Sequence, residues 1–279
     1  MPDIREARAY ALAELAGTES PGADVQVLLC HVLACHPTRL MTSPEDRLTE
    51  EQWQELMALV KRRKQGEPVA YLTGSRGFWS LDLAVDDSTL IPRPDTELLV
   101  SLCLPKLDKD MLVADLGTGT GAIALSLASE RPDVRFVATD LQFAALELAR
   151  RNAATHGIVN VSFLQMSWLA GFRPQCFDVV VSNPPYIRSD DPHLLQGDVR
   201  FEPRTALVSG KEGLEDIRAI TKQAASCLKP GGWLLVEHGY DQSRQVQDCL
   251  TQAQFVNITA HQDFNGQNRA VMGQLPDEV

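Results

Sequence analysis

Two hydrophobic rhythms divide the chain. Through about Lys64, apolar residues recur at helical spacing, first at Val25, Leu28, Leu29, Val32 and Leu33 and then at Trp53, Leu56, Met57 and Val60. Thr49 and Gln52, three residues apart, predict a capping box that starts the second of these helices. From Pro68 to Pro94 the pattern turns to short strands and turns, with Tyr71-Leu72-Thr73-Gly74 and Phe78-Trp79-Ser80-Leu81-Asp82-Leu83 as the strand-like pieces. Beyond Asp95, short apolar runs at Met111–Asp115, Arg135–Asp140, Phe177–Ser182 and Trp233–Glu237 alternate with helical patterns. Strands that are apolar throughout must be covered on both faces, so this alternation predicts an α/β fold with a mostly parallel sheet. The expected organisation is a helical domain over residues 1–66, a β-rich connector over 67–94 and an α/β domain over 95–279.

The first strand of that α/β region runs into Leu116-Gly117-Thr118-Gly119-Thr120-Gly121 and then a helix through Ile123, Leu125 and Leu127. Glycines at such a turn let backbone approach a nucleotide-like ligand without Cβ clashes, and the helix start points N–H groups at it. Gly117, Gly119 and Ala122 also satisfy the dinucleotide pattern G-x-G-x-x-A, so the loop by itself does not choose the cofactor. Asp140, closing the next strand, is placed to accept both hydroxyls of a ribose, in competition with a plain helix-capping role.

Asn183-Pro184-Pro185-Tyr186 follows the buried run Phe177–Ser182 and carries the most specific chemistry. Neither proline has a backbone N–H, so the turn offers acceptors and almost no donors. An amide or amino NH2 has two donors to satisfy; the Asn183 side-chain oxygen and the Pro184 carbonyl are suited to accept them, with Tyr186 as an aromatic face. The bland alternative is a turn that merely ends a strand.

Taken together, the glycine loop, Asp140 and Asn183-Pro184-Pro185-Tyr186 resemble the class I S-adenosylmethionine-dependent methyltransferases that act on exocyclic nitrogens. Ile91-Pro92-Arg93-Pro94-Asp95-Thr96-Glu97 and Gly197-Asp198-Val199-Arg200-Phe201-Glu202-Pro203-Arg204-Thr205-Ala206-Leu207 narrow the resemblance to the PrmC (HemK) family, the glutamine-N5 methyltransferases of peptide chain release factors. The resemblance implies a Rossmann-like, mostly parallel seven-stranded sheet behind a small helical substrate-recognition domain. It implies S-adenosyl-L-methionine as cofactor and S-adenosyl-L-homocysteine as product. Gly117, Thr118, Gly119, Thr120, Gly121, Asp140, Trp168 and Asn183 would hold the cofactor, while Asn183, Pro184, Pro185 and Tyr186 would present the glutamine amide of a Gly-Gly-Gln loop. One departure stands out: Ser167, before Trp168, occupies the place where the family often has an acid for the adenine amino group, which predicts an adenine hydrogen bond that is weaker, water-mediated or made by backbone.

Charge sets limits on the partner. The 279 residues carry a formal net charge of −11, a poor match for a duplex nucleic acid, whose binding needs basic surface. This weighs against the main enzymatic alternative, an amino-methyltransferase of adenine or cytosine, and a non-catalytic cofactor-binding protein is the other alternative. Lys61-Arg62-Arg63-Lys64 reads as a solvated helix end before Gly66. The six cysteines form no C-x-x-C pair and the histidines do not cluster with them, so neither a metal site nor a disulfide framework is expected. His193 and His238 receive no catalytic role. No apolar stretch is long enough to span a bilayer and the start of the chain has no apolar leader, so a cytoplasmic protein is expected; a monomer is the expected state, though no sequence feature fixes it.

Overall fold

The computed structural model describes residues 1–277. They form two compact units: Met1–Ser75 with His193–Phe201, and Arg76–Pro192 with the chain from Glu202 onward.

The first unit is helical, with α1 (Ile4–Glu14), α2 (Pro21–Val32), α3 (Pro37–Thr42), α4 (Glu50–Lys64) and α5 (Val69–Thr73). Its core joins Ile4, Ala7 and Ala11 of α1 to Val25, Leu28 and Leu29 of α2 and Leu56, Leu59 and Val60 of α4. The Thr49 and Gln52 capping box is present, each side chain taking the other's backbone N–H. Tyr71-Leu72-Thr73-Gly74, read as strand-like, instead falls in a turn of helix, Val69–Thr73, that Gly74 ends in the left-handed region at φ 72°. A five-residue stretch with buried Ala70 and Leu72 is too short for periodicity to separate the two states.

The basic run at the end of α4 also differs from expectation. Lys61, Arg62 and Lys64 are exposed, but Arg63 is buried, its guanidinium 2.7 Å from Asp24 and 2.7 Å from Asp198. Arg200 donates to the Gln65 carbonyl at 2.6 Å. Segment His193–Phe201 therefore folds onto the helical unit through one charge pair and one guanidinium-to-carbonyl hydrogen bond, each between residues 135 apart in sequence, which local patterning does not reveal.

The second unit opens with a hairpin of β1 (Ser75–Phe78) and β2 (Leu81–Ala84), then α6 (Glu97–Cys103) and a seven-stranded sheet. Along the chain follow β3 (Leu112–Leu116), α7 (Ala122–Glu130), β4 (Arg135–Asp140), α8 (Phe143–Thr155), β5 (Val161–Gln165) and β6 (Phe177–Ser182). They continue through α9 (Glu215–Cys227), β7 (Leu228–Glu237), α10 (Ser243–Gln252), β8 (Val256–Gln262) and β9 (Asn268–Gln274). The strand order is β5-β4-β3-β6-β7-β9-β8, parallel except that β9 is antiparallel to both β7 and β8. Alternation along each strand loads both faces: Val113, Val179, Val181 and Leu235 pack with α6 and α7, whereas Ala114, Val180, Leu234 and Val236 pack with α9 and α10.

The chain steps from β3 outward to β4 and β5, then returns to place β6 on the other side of β3. Crevices form at the carboxyl ends of strands where the order reverses in this way, which directs the search to the loops after β3, β4, β5 and β6. Among the described residues, no helix is long and apolar enough to cross a membrane, and no group of three or more His, Cys, Asp or Glu can hold a metal ion.

Candidate active site

Those four loops line one cavity of about 360 Å³ in the second unit. Gly117, Thr118, Gly119 and Thr120 come from the loop after β3, Asp140, Leu141 and Gln142 from that after β4, Met166, Ser167 and Trp168 from that after β5, and Asn183 and Pro185 from that after β6. Its volume falls in the usual range for a small-molecule site.

The glycine loop owes its shape to both backbone and side chains. Gly117, Gly119 and Gly121 all have positive φ, at 69°, 55° and 86°, a region costly for residues with a Cβ. A Cβ on Gly117 would lie 3.2 Å from the Trp168 ring, and one on Gly121 would lie 2.8 Å from Leu125. Beneath the loop, buried Asp115 accepts from the Thr118 hydroxyl at 2.6 Å and from the Ala124 N–H at 3.1 Å, tying the loop to the first turn of α7. Burial lifts the Asp115 pKa to about 6, and the Thr118 and Ala124 hydrogen bonds only partly offset it. Asp115 was not singled out from the sequence; its position immediately before the glycine loop was the available signal.

Asp140 turns out to do two jobs in its own chain. Oδ2 accepts from the Gly119 N–H at 3.0 Å and Oδ1 from the Gln142 N–H at 2.9 Å, so the carboxylate holds the glycine loop and the entrance to α8. A carboxylate has about four lone-pair sites, so acceptor capacity remains, and the residue lines the cavity. Burial raises its pKa. Trp168 stands in the left-handed region at φ 51°, lines the cavity and also packs against the core under α9 and α10. Exposed Leu141 and partly buried Met166 add apolar lining, and Ser167 faces the same space.

The four residues of the Asn-Pro-Pro-Tyr turn divide. Asn183 and Pro185 line the cavity; Pro184 is buried, and half-buried Tyr186 packs against the core beneath α9 and α10. Asn183 Nδ2 donates to the Thr96 hydroxyl at 3.1 Å. The Tyr186 hydroxyl lies 3.5 Å from Glu237 Oε1, and its carbonyl accepts from Gln242 Nε2 at 3.0 Å. Burial raises the Tyr186 pKa well above the ordinary phenol value, so it acts as a neutral hydroxyl. Before the turn, Ser182 Oγ donates to the Leu116 carbonyl at 2.7 Å, locking β6 to β3 where both enter the site.

Two further segments complete the wall. Thr89, Leu90, Pro92, Arg93 and Thr96 line the cavity from the stretch before α6, and Thr205, Ala206 and Val208 from the stretch after Glu202. Arg93 pairs with Glu202 at 2.7 Å, the Glu202 side chain being fully buried, so the two flanking signatures meet in space. Ile187 N–H donates to the Leu207 carbonyl and Ser209 N–H to the Ile187 carbonyl, which lays the second signature alongside the chain leaving the turn. His238 is wholly buried with Nδ1 2.7 Å from the Gly239 carbonyl oxygen, and it does not line the cavity.

A parallel-centred seven-stranded sheet with a glycine loop, an acid after the second strand and an acceptor-rich turn after the fourth defines a class I methyltransferase. Residues 107–274 match the family described as a methyltransferase domain, and residues 6–74 match the PrmC N-terminal domain. A methyltransferase from Pyrococcus furiosus shares the fold at a TM-score of 0.54 and 16% identity, over 79% of this chain and 98% of that one. Curated relatives are nearer: the release factor glutamine methyltransferase of Vibrio cholerae is 50% identical over 94% of this chain and 92% of its own. That of Escherichia coli is 47% identical over 95% of this chain and 96% of its own. The chain belongs to the release factor glutamine methyltransferase family.

Proposed function

We infer that this protein transfers a methyl group from S-adenosyl-L-methionine to the side-chain amide nitrogen of the glutamine in the Gly-Gly-Gln motif of peptide chain release factors, in the cytoplasm and as a monomer. The observation that carries the reading is the Asn183 side chain on the cavity wall, its NH2 turned to Thr96 and its oxygen left to accept an N–H. Close homology over almost the whole chain supports the choice of acceptor.

The cavity suits the cofactor. Positive φ at Gly117 and Gly119 brings the Gly117–Thr120 backbone to the cavity, Gly121 starts α7 behind it, and Asp140 offers its remaining lone pairs to ribose hydroxyls. Trp168, Met166 and Leu141 give apolar cover for an adenine ring, with Ser167 as a neutral polar neighbour. When bound, the cofactor supplies an electrophilic sulfonium methyl group.

An amide nitrogen is a poor nucleophile because its lone pair is delocalised into the carbonyl. Asn183 Oδ1 and the Pro184 carbonyl accept the two N–H groups, which raises electron density on nitrogen and fixes its direction. Pro185 confines the flat amide, and Tyr186 braces the turn from behind through Glu237 and Gln242. No strong base is required before transfer, since the proton leaves after the nitrogen has become cationic. The contact surface of a single amide is small, so choice of protein substrate falls to a second surface, for which the N-terminal helical unit is the independent candidate.

The test is methyl transfer from labelled S-adenosylmethionine to intact release factor, with a duplex DNA arm for the nucleic-acid alternative. Label on the release factor supports the reading; label on the DNA alone contradicts it.

A further inference from the structure

One charged pair in the cavity wall is not explained by the transfer chemistry. Arg93 Nη2 lies 2.7 Å from Glu202 Oε1, and the Glu202 side chain is fully buried whereas 33% of the Arg93 side chain is exposed. As a mere fastener between two wall segments such a pair is a poor choice, because taking both charges out of water costs about as much as their attraction returns, and apolar packing of the same size would serve as well. Arg93 also lines the cavity, and of the described residues that do so it alone has a cationic side chain. The acids in that lining are Asp140 and Asp216. A guanidinium has five N–H donors; the bond to Glu202 uses one of them and fixes the plane, so donors remain for a ligand.

We propose that Arg93 binds the carboxylate at the amino-acid end of S-adenosylmethionine, with Glu202 holding the guanidinium in place. The inference rests on the cofactor reading given above. The sulfur of that cofactor carries three groups: the adenosyl carbon, the methyl, and a chain that ends in an ammonium and a carboxylate. Asp140, bonded to the Gly119 N–H, marks the ribose side of the cavity, and Asn183 marks the side to which the methyl must point. The stretch that carries Arg93 also carries Thr96, whose hydroxyl accepts from Asn183 Nδ2 at 3.1 Å, so Arg93 belongs to the wall beside the acceptor turn. Methyl and amino-acid chain share one sulfur, which brings the carboxylate to the same half of the cavity. Asp140 and Asp216 would repel it there. The Arg93 guanidinium is the one charge in the lining that attracts it, and its planar fork can meet two carboxylate oxygens at once.

Decarboxylated S-adenosylmethionine, which keeps the adenosine, the sulfonium and the ammonium and lacks only the carboxylate, isolates the contact. Calorimetric titration of the full-length protein, without release factor, compares the two ligands. Wild type should bind S-adenosylmethionine about tenfold or more tighter than the decarboxylated compound, the usual worth of a charge-assisted contact. Arg93→Ala should erase that preference while binding the decarboxylated compound within about twofold of wild type, and Arg93→Lys, which keeps the charge but not the fork, should retain part of it. Because Arg93→Ala takes a cation from beside a buried carboxylate, the neutral pair Arg93→Gln/Glu202→Gln is titrated alongside and should lose most of the preference too. A preference that survives in Arg93→Ala or in the neutral pair would assign the carboxylate to backbone N–H groups and overturn the proposal. An equal loss for both ligands, which would make Arg93 a support of the wall, or no preference in wild type, would overturn it as well. Wild type that binds neither ligand refutes the cofactor reading itself, and since no release factor is present, the result is independent of which nitrogen accepts the methyl group.

Discussion

The backbone N–H of Gly119 donates to Asp140 Oδ2 at 3.0 Å, so the acid that ends β4 holds the glycine loop of β3 as well as facing the cavity. Removing it should therefore act twice. Asp140→Ala should weaken S-adenosylmethionine binding by more than the loss of ribose contacts alone, on the order of 3 kcal/mol or more, whereas Asp140→Asn, which keeps an oxygen for Gly119, should lose less. Calorimetric titration with the cofactor checks this, and unchanged affinity in Asp140→Ala would leave the residue as a loop brace only.

Asn183→Ala removes the acceptor at the reacting nitrogen and little apolar packing. It should cut turnover by about a hundredfold, the usual effect of losing one preorganised partner worth about 3 kcal/mol. Thermal unfolding of the variant should match wild type. Near wild-type turnover by the folded variant would remove Asn183 from the mechanism.

Ser167→Asp should tighten cofactor binding, because a carboxylate in this stretch of the cavity wall can accept from an adenine amino group more strongly than a hydroxyl. Side-by-side dissociation constants decide it; no gain means that the adenine amino group lies elsewhere.

Asp115 links stability to pH. Its folded pKa, raised from 3.8 to about 6 chiefly by burial, means that the native state binds this proton more tightly than the unfolded chain. The resulting stabilisation is full below about pH 4 and is lost as pH rises through about 6. Asp115→Asn should flatten the fall in stability between pH 5 and 7.5 that this group causes, by about 1.4 kcal/mol, since much of the loss falls below pH 5. Urea midpoints at the two pH values measure the difference, and an equal fall in variant and wild type would show that Asp115 titrates normally.

Much of this architecture is written in local patterns. The strands at Arg135–Asp140 and Phe177–Ser182 and the Thr49 cap are read directly from apolar runs and residue spacing, since each depends on neighbours in sequence. Of the candidate site residues, Asn183, Pro185, Gly117 to Thr120, Asp140 and Trp168 line one cavity, while Gly121, Pro184 and Tyr186 do not. What stays hidden is long-range polar pairing. Arg63 looks like one more charge in a solvated run, yet it is buried between Asp24 and Asp198. Arg93 and Glu202 lie in two flanking signatures with no sign in either that they form an ion pair. Thr96 likewise gives no hint that it carries the Asn183 amide. Periodicity reports which face is apolar; it says nothing about which distant polar group will satisfy a buried one.

The central claim is that a glutamine amide in a release factor accepts the methyl group. The most direct measurement incubates the protein with release factor and S-adenosylmethionine carrying a heavy methyl group, then locates the label by fragment mass spectrometry. The account predicts a single added methyl on the side-chain nitrogen of the Gly-Gly-Gln glutamine, appearing about a hundredfold more slowly when Asn183 is alanine. A methyl on any other residue, or none on release factor while adenine or cytosine in DNA becomes labelled, would contradict it.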